Sequence, residues 1–97
     1  MDRGALWRLK NARDALHGNG DARNRLFCAW IDLVPLTGGD FPDPARFEMM
    51  MAAVTTVEDP EAGSLRATID AMPDGEVTEA SSVLSAYLTE LLRPAGM

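Results

Sequence analysis

Residues 77–92 read VTEASSVLSAYLTELL, and this stretch decides the fold class. Its apolar residues recur at intervals of three and four, which places them on one broad face of an α-helix. No segment of the chain alternates apolar and polar residues as a β-strand does. The pattern therefore predicts a C-terminal helix from about Val77 to Leu92, with a core face made of Ala80, Val83, Leu84, Tyr87, Leu88 and Leu91.

Capping residues and helix breakers indicate four more helices upstream. An Asp just before a helical apolar pattern accepts hydrogen bonds from the free N–H groups of the first turn. The residues in this position are Asp2, Asp21, Asp43 and Asp59. Pro73-Asp74-Gly75 predicts a turn before the fifth helix. The core faces expected in the four upstream helices are Ala5, Leu9, Ala12 and Leu16; Leu26, Phe27, Trp30, Ile31 and Val34; Phe47, Met50, Met51, Val54 and Val57; and Leu65, Ile69 and Met72.

These elements predict an all-α fold, a compact bundle of five or six short helices. A chain of 97 residues buries enough surface for one core, so we expect a single helical domain over residues 1–97. The final residues, Pro94-Ala95-Gly96-Met97, are typical of the start of a linker. The chain is therefore either a whole small protein or a module of a longer one.

Hydropathy and cysteine content favour a cytoplasmic protein. The longest apolar runs, such as residues 33–36 and residues 49–54, are only about four to six residues long, far shorter than the ~20 residues that span a bilayer. The chain does not open with a charged segment followed by an apolar one, as a secretory signal does. A single cysteine cannot form an internal disulfide, which agrees with a reducing compartment. We therefore expect a cytoplasmic location and no membrane partner.

The chain offers few residues for catalysis. His17 is the only histidine, and without a His/Cys cluster at ligand spacing we expect it to bond the last carbonyls of its helix rather than a metal. Cys28 stands in an apolar stretch, where a thiol is expected to be a small buried hydrophobe. Ser64 precedes Leu65, as the phosphopantetheine serine of carrier proteins does, but Gly63 replaces the expected Asp or His. We therefore predict no enzyme activity, no metal and no cofactor.

Charge is distributed unevenly along the chain. The formal net charge is −6, which argues against nucleic-acid binding because phosphate contact relies on Lys and Arg. Residues 1–25 hold six Lys and Arg against three carboxylates, whereas residues 26–97 hold three against twelve. These balances of +3 and −9 suggest a bipolar module whose basic end meets an acidic end of a similar domain. The alternative is that solvated helix faces differ in charge without functional consequence.

Several residues are candidates for an interface. Trp7 falls off the apolar stripe of the first helix, so it is either an exposed interface anchor or is covered by a neighbouring helix. Residues 49–51 are three methionines, of which two can face the core; methionine adapts to irregular partners, so the run is also a candidate lining for a groove. The residues predicted to carry an interaction are Trp7, Arg8, Arg23 and Arg25 on the basic side, and Asp70, Asp74, Glu76 and Glu79 on the acidic side.

The order of the helix-opening motifs is a further observation. An acidic helix start with Arg is followed by a Pro-Ala-Arg start, a proline before a short helix, and a leucine-rich final helix. The residues are Asp21, Ala22, Arg23, Pro44, Ala45, Arg46, Pro60, Leu65, Ile69, Leu84, Leu88 and Leu91. Over most of the chain this order resembles the effector-associated domains of bacterial conflict systems, small death-fold-like adaptors. The resemblance implies pairing with a matching domain on an effector, such as a protease or a nucleotide-signalling enzyme, or on its sensor.

Three functions are compatible with these observations. The first is a non-catalytic protein–protein interaction adaptor that pairs with a similar helical domain on an effector or NTPase through complementary basic and acidic faces, and that can self-associate. The second is a small acidic inhibitor or immunity-type protein that covers a basic active site. The third is a carrier or small-ligand domain that uses Ser64 or a methionine-lined groove.

Overall fold

Five α-helices make up most of the computed structural model, which describes residues 3–93. They are α1 (Arg3–Leu16), α2 (Ala22–Leu33), α3 (Pro44–Ala53), α4 (Ser64–Ala71) and α5 (Asp74–Leu91). One turn of 3₁₀-helix, Gly38–Asp40, lies between α2 and α3. Residues 3–93 contain no β-strand, so the prediction of an all-α bundle is confirmed. No helix within these residues combines the length and the hydropathy needed to cross a bilayer.

The second helix lies at the centre of the bundle. It packs against α1, α4 and α5, and its buried side chains include those of Leu26, Trp30 and Leu33. The apolar stripes of the surrounding helices close on this helix because each has one face to remove from water. The buried apolar residues contributed by the other elements are Ala5, Leu9, Ala12, Leu16, Phe41, Phe47, Val54, Ile69, Val77, Leu84, Tyr87 and Leu88.

A row of aromatic rings connects α3 to the rest of the core. The rings of Phe41 and Phe47 stack with centroids 3.9 Å apart, and Phe47 lies 6.3 Å from Trp30. Phe41 also lies 6.1 Å from Tyr87 of α5. Because Phe41 directly follows the 3₁₀ turn, the loop between α2 and α3 is held to the core by a buried side chain.

Two of the predicted helix starts are confirmed in atomic detail. The Asp21 carboxylate accepts from the Asn24 backbone N–H at 2.8 Å. Asp43 accepts in the same way from the Arg46 N–H at 3.2 Å, with Pro44 at the first helical position. The cap predicted at Asp2 lies outside the described residues.

The start predicted at Asp59 is wrong. Its carboxylate accepts from the backbone N–H groups of Glu61 and Ala62, at 2.9 and 3.0 Å, and so closes a turn rather than opening a helix. The chain then passes through Gly63 at φ +85°, a conformation that favours glycine, and α4 begins only at Ser64. The same type of capping bond serves a turn and a helix, which is why the sequence did not separate them.

The turn predicted at Pro73-Asp74-Gly75 is also wrong, because α5 begins at Asp74 rather than at about Val77. Pro73 stands just before the helix, and its carbonyl accepts from the N–H groups of Glu76 and Val77. Asp74 and Glu76 both lie in the first turn, where the positive end of the helix dipole favours carboxylates.

The core faces are narrower than the periodicity suggested. Ile31, Val34, Val57 and Val83 were expected to face the core, yet each is 40–50% exposed. They stand at the edges of their stripes, where no neighbouring helix covers them. The methionine prediction is confirmed: Met50 and Met51 pack against the core while Met49 is 73% exposed.

Candidate protein-binding surfaces

The predicted basic and acidic residues meet within one chain at Arg23. Its guanidinium is 2.9 Å from an Asp74 carboxylate oxygen, and it also donates to the Ile69 backbone carbonyl in the last turn of α4. The Arg23 side chain is 26% exposed and therefore partly enclosed. Arg23 thus ties α2 to the end of α4 and the start of α5, and this role belongs to the fold.

Asp70 also has a partner inside the chain. Its carboxylate is 3.2 Å from Arg66 Nε, one helical turn away on α4. Arg66 in addition donates to Asn24 at 3.1 Å and lies over the Phe27 ring, 4.7 Å from its centroid. This cluster joins α4 to α2 and neutralises Asp70.

The remaining predicted arginines differ from each other. Arg8 is half-buried, and its guanidinium lies 3.5 Å from the Asp32 backbone carbonyl near the end of α2. That contact bridges α1 and α2. Arg25 is half-buried and joins none of the ion pairs formed within residues 3–93. Of the predicted basic residues, Arg25 therefore has the least evident structural role.

The sequence left open whether Trp7 is exposed or covered by a neighbouring helix, and in the structure it is exposed. Its side chain is 62% exposed on α1, opposite the buried stripe that includes Leu9 and Ala12. Arg3 and Lys10 stand four residues before it and three after it, so they share its helix face, and both are exposed. We call Arg3, Trp7 and Lys10 the Trp7 surface. Neither cation was among the residues predicted to carry an interaction, although both lie within about one helical turn of Trp7 in the sequence.

A groove opens between α3 and α5 and encloses about 300 Å³. Its lining includes buried Trp30 and the half-buried thioethers of Met50 and Met72. The exposed carboxylates of Glu76 and Glu79 also border it. Neither Glu takes part in an ion pair within residues 3–93. We call this feature the α3–α5 groove; it brings two predicted acidic residues together with part of the predicted methionine run.

The residues weighed for catalysis are dispersed. The Cys28 prediction is wrong: the thiol is exposed, because the inward positions of α2 are taken by Leu26, Ala29 and Trp30. The His17 backbone N–H donates to the Asp14 carbonyl at 3.2 Å in the last turn of α1, while its ring reaches across to α5, where Nε2 is 3.5 Å from Ser85 Oγ.

Ser64 is the first residue of α4, an ordinary position in a first helical turn. Within residues 3–93, no three His, Cys, Asp or Glu side chains converge as a metal site would require.

Comparison with known proteins yields no family, relative or fold neighbour: no protein-family model, no curated protein and no solved structure matches this chain.

Proposed function

We propose that this chain is a non-catalytic adaptor that pairs with a similar helical domain on an effector or sensor protein. One observation carries the proposal. An exposed tryptophan beside two cations, Arg3 and Lys10, and an apolar groove beside two carboxylates, Glu76 and Glu79, occur on the same small bundle, and none of these four charged groups forms an ion pair within residues 3–93.

The energetics of interfaces support this reading of the two surfaces. Exposed tryptophans are enriched among residues whose truncation costs most in binding. A rim of charge around an apolar contact adds specificity and speeds encounter with a partner of opposite sign. The Trp7 surface combines an exposed tryptophan with two cations, and the α3–α5 groove combines an apolar lining with two carboxylates.

The proposal assigns the interaction to fewer residues than the charge pattern suggested. Arg23 and Asp74 bond each other, so an Arg23→Glu variant would disturb the fold as well as any interface. Asp70 is paired with Arg66 in the same way. Trp7, Glu76 and Glu79 are the predicted residues best placed for a partner.

Affinity capture from the native host, followed by mass spectrometry, tests the proposal. The tagged full chain should retain an effector or NTPase that carries a similar helical domain. Retention should fall with Trp7→Ala and also with the double variant Glu76→Gln/Glu79→Gln. Met49→Ala is a matched control, because it removes an equally exposed apolar side chain that does not line the groove. Unchanged retention in both test variants would count against the adaptor.

A specific observation also favours the acidic inhibitor as the second candidate. Glu76 and Glu79 present free carboxylates beside an apolar groove, which suits a basic protein as well as a similar domain. In the same experiment this function predicts capture of a cationic nuclease or toxin. That capture would be lost with Glu76→Gln/Glu79→Gln and kept with Trp7→Ala, the opposite dependence on Trp7.

A further inference from the structure

We infer that the α3–α5 groove is the docking site for the Trp7 surface of a second copy of this chain, so that copies join head to tail. This inference rests on the proposed function, since it names the partner and the two surfaces that such an adaptor uses. It adds that the chain binds a second copy of itself. An adaptor can bind a different protein without doing so.

The groove suits one large side chain. A volume of about 300 Å³ stands at the lower end of the range for small-molecule pockets, about 300–1,000 Å³. Its lining offers the buried Trp30 ring with Met50 and Met72, whose flexible thioethers can adapt to an inserted aromatic ring. Exposed Val83 extends this apolar surface outward along α5.

The Trp7 surface offers the matching side chain. Trp7 is the largest of the strongly exposed apolar residues within residues 3–93, and it projects from a regular helix. An aromatic side chain of this kind removes about 150–250 Å² from water when it is buried at an interface. The helix also fixes the backbone of its neighbours, so little order has to be gained on binding.

The charges select this pairing over the symmetric ones. Arg3 and Lys10 flank Trp7, and Glu76 and Glu79 border the groove; none of the four forms an ion pair within residues 3–93. If two copies met through their grooves, their carboxylates would repel each other. If they met through their Trp7 surfaces, their cations would repel each other. Trp7 surface against groove places opposite charges side by side, which is the favourable arrangement.

The two surfaces lie on different elements. The groove is lined from α2, α3, the α4–α5 junction and α5, and α1 contributes no residue to that lining. A contact between them is therefore heterologous and leaves one groove and one Trp7 surface free at the ends of each dimer. Such contacts continue into rings or filaments.

Complementation between two blocked variants tests the inference. Trp7→Ala removes the inserted side chain and leaves the groove, whereas Val83→Arg blocks the groove and leaves Trp7. We expect the wild type to assemble beyond a monomer in light scattering as concentration rises to about 1 mM, less so at high salt. Each variant should weaken self-association at least about 30-fold, the effect of losing a hot-spot side chain. An equimolar mixture of the two should form a one-to-one dimer that goes no further.

Two controls match these changes. Met49→Ala removes an exposed apolar side chain elsewhere, and Ser82→Arg adds the same charge at the adjacent, exposed position of α5 outside the groove. Both should assemble like the wild type, with circular dichroism and thermal melting confirming that all four variants are folded. A mixture of Trp7→Ala and Val83→Arg that stays monomeric would overturn the inference.

The capture experiment separates this inference from the proposed function. If the wild type is monomeric at every concentration yet retains a host partner through Trp7, self-pairing is overturned and the adaptor stands. If the variants complement each other but no host partner is retained, self-pairing is supported and the proposed pairing with an effector or sensor protein is overturned.

Discussion

Replacing Arg23 with methionine should destabilise the protein. Met keeps the apolar stem of the side chain but removes the guanidinium. Two interactions are lost: the hydrogen bond to the Ile69 carbonyl and the ion pair with Asp74. The first lies within the fold, at the end of α4, while the Asp74 carboxylate is fully exposed.

The hydrogen bond accounts for most of the expected effect. A hydrogen bond from a charged donor contributes about 1.5–3 kcal/mol to stability. The Met72 N–H, 3.2 Å from the same carbonyl oxygen, remains as a donor after the substitution, so the oxygen is not left without a partner. We therefore expect the free energy of unfolding to fall by about 2 kcal/mol. An exposed ion pair contributes about 0.2–1 kcal/mol and a carboxylate in a first helical turn about 0.3–1 kcal/mol, so Asp74→Ala should lower it by less than Arg23→Met does.

Urea denaturation measures the free energy of unfolding of both variants without adding salt. With a slope of about 1–3 kcal/mol per molar urea, a loss of about 2 kcal/mol lowers the midpoint by about 1 M. Adding sodium chloride should leave most of the Arg23→Met effect in place, because the bond to the carbonyl is partly enclosed. Equal losses in Arg23→Met and Asp74→Ala would refute the reasoning, since the exposed ion pair would then be the dominant interaction.

Three further predictions concern other parts of the chain. Cys28 should react stoichiometrically with a thiol reagent in the folded protein, because its side chain is exposed; labelling only after denaturation would contradict this. Phe47→Ala should cost about 3–5 kcal/mol in thermal or urea unfolding, because it leaves a cavity beside the stacked Phe41 ring and Trp30; a loss below about 1 kcal/mol would show that the loop is not held there. The backbone N–H groups of Ala62 and Glu61 lower the pKa of Asp59 below its ordinary value of 3.8, so its contribution to stability is present above the unfolded pKa and is lost as pH falls through the lowered folded pKa. An NMR titration of the carboxyl carbon should show the lowered pKa, and Asp59→Asn should remove this part of the acid dependence.

Local interactions explain why most of the helices were predictable. The caps at Asp21 and Asp43 join residues only three apart, so both partners are visible in a short stretch of sequence. The inward stripes follow from the 3.6-residue period, which needs no knowledge of neighbouring elements. An Asp side chain can cap a helix or close a turn. At Asp59 it closes a turn, so the predicted helix start was too early.

The candidate surfaces were predictable only in part. From the sequence, Trp7 could be placed outside the apolar face of its helix, and Glu76 and Glu79 could be placed in an acidic region. The groove could not be predicted, because it forms only where α3 and α5 pack next to each other. Arg23 could not be assigned to the fold because its partner Asp74 is 51 residues away. The charge balances of the two parts of the chain therefore included charged side chains that form ion pairs with each other in the folded protein.

The fold class and most helix spans could be predicted from local sequence patterns, since helical hydrogen bonds and caps join residues a few positions apart. Tertiary structure alone decided which apolar residues stay in water. Cys28 is exposed and Trp7 unburied because no neighbouring helix covers those faces. It also decided which charges remain free, because ion pairs such as that of Arg46 and Glu90 depend on how distant helices pack rather than on spacing along the chain.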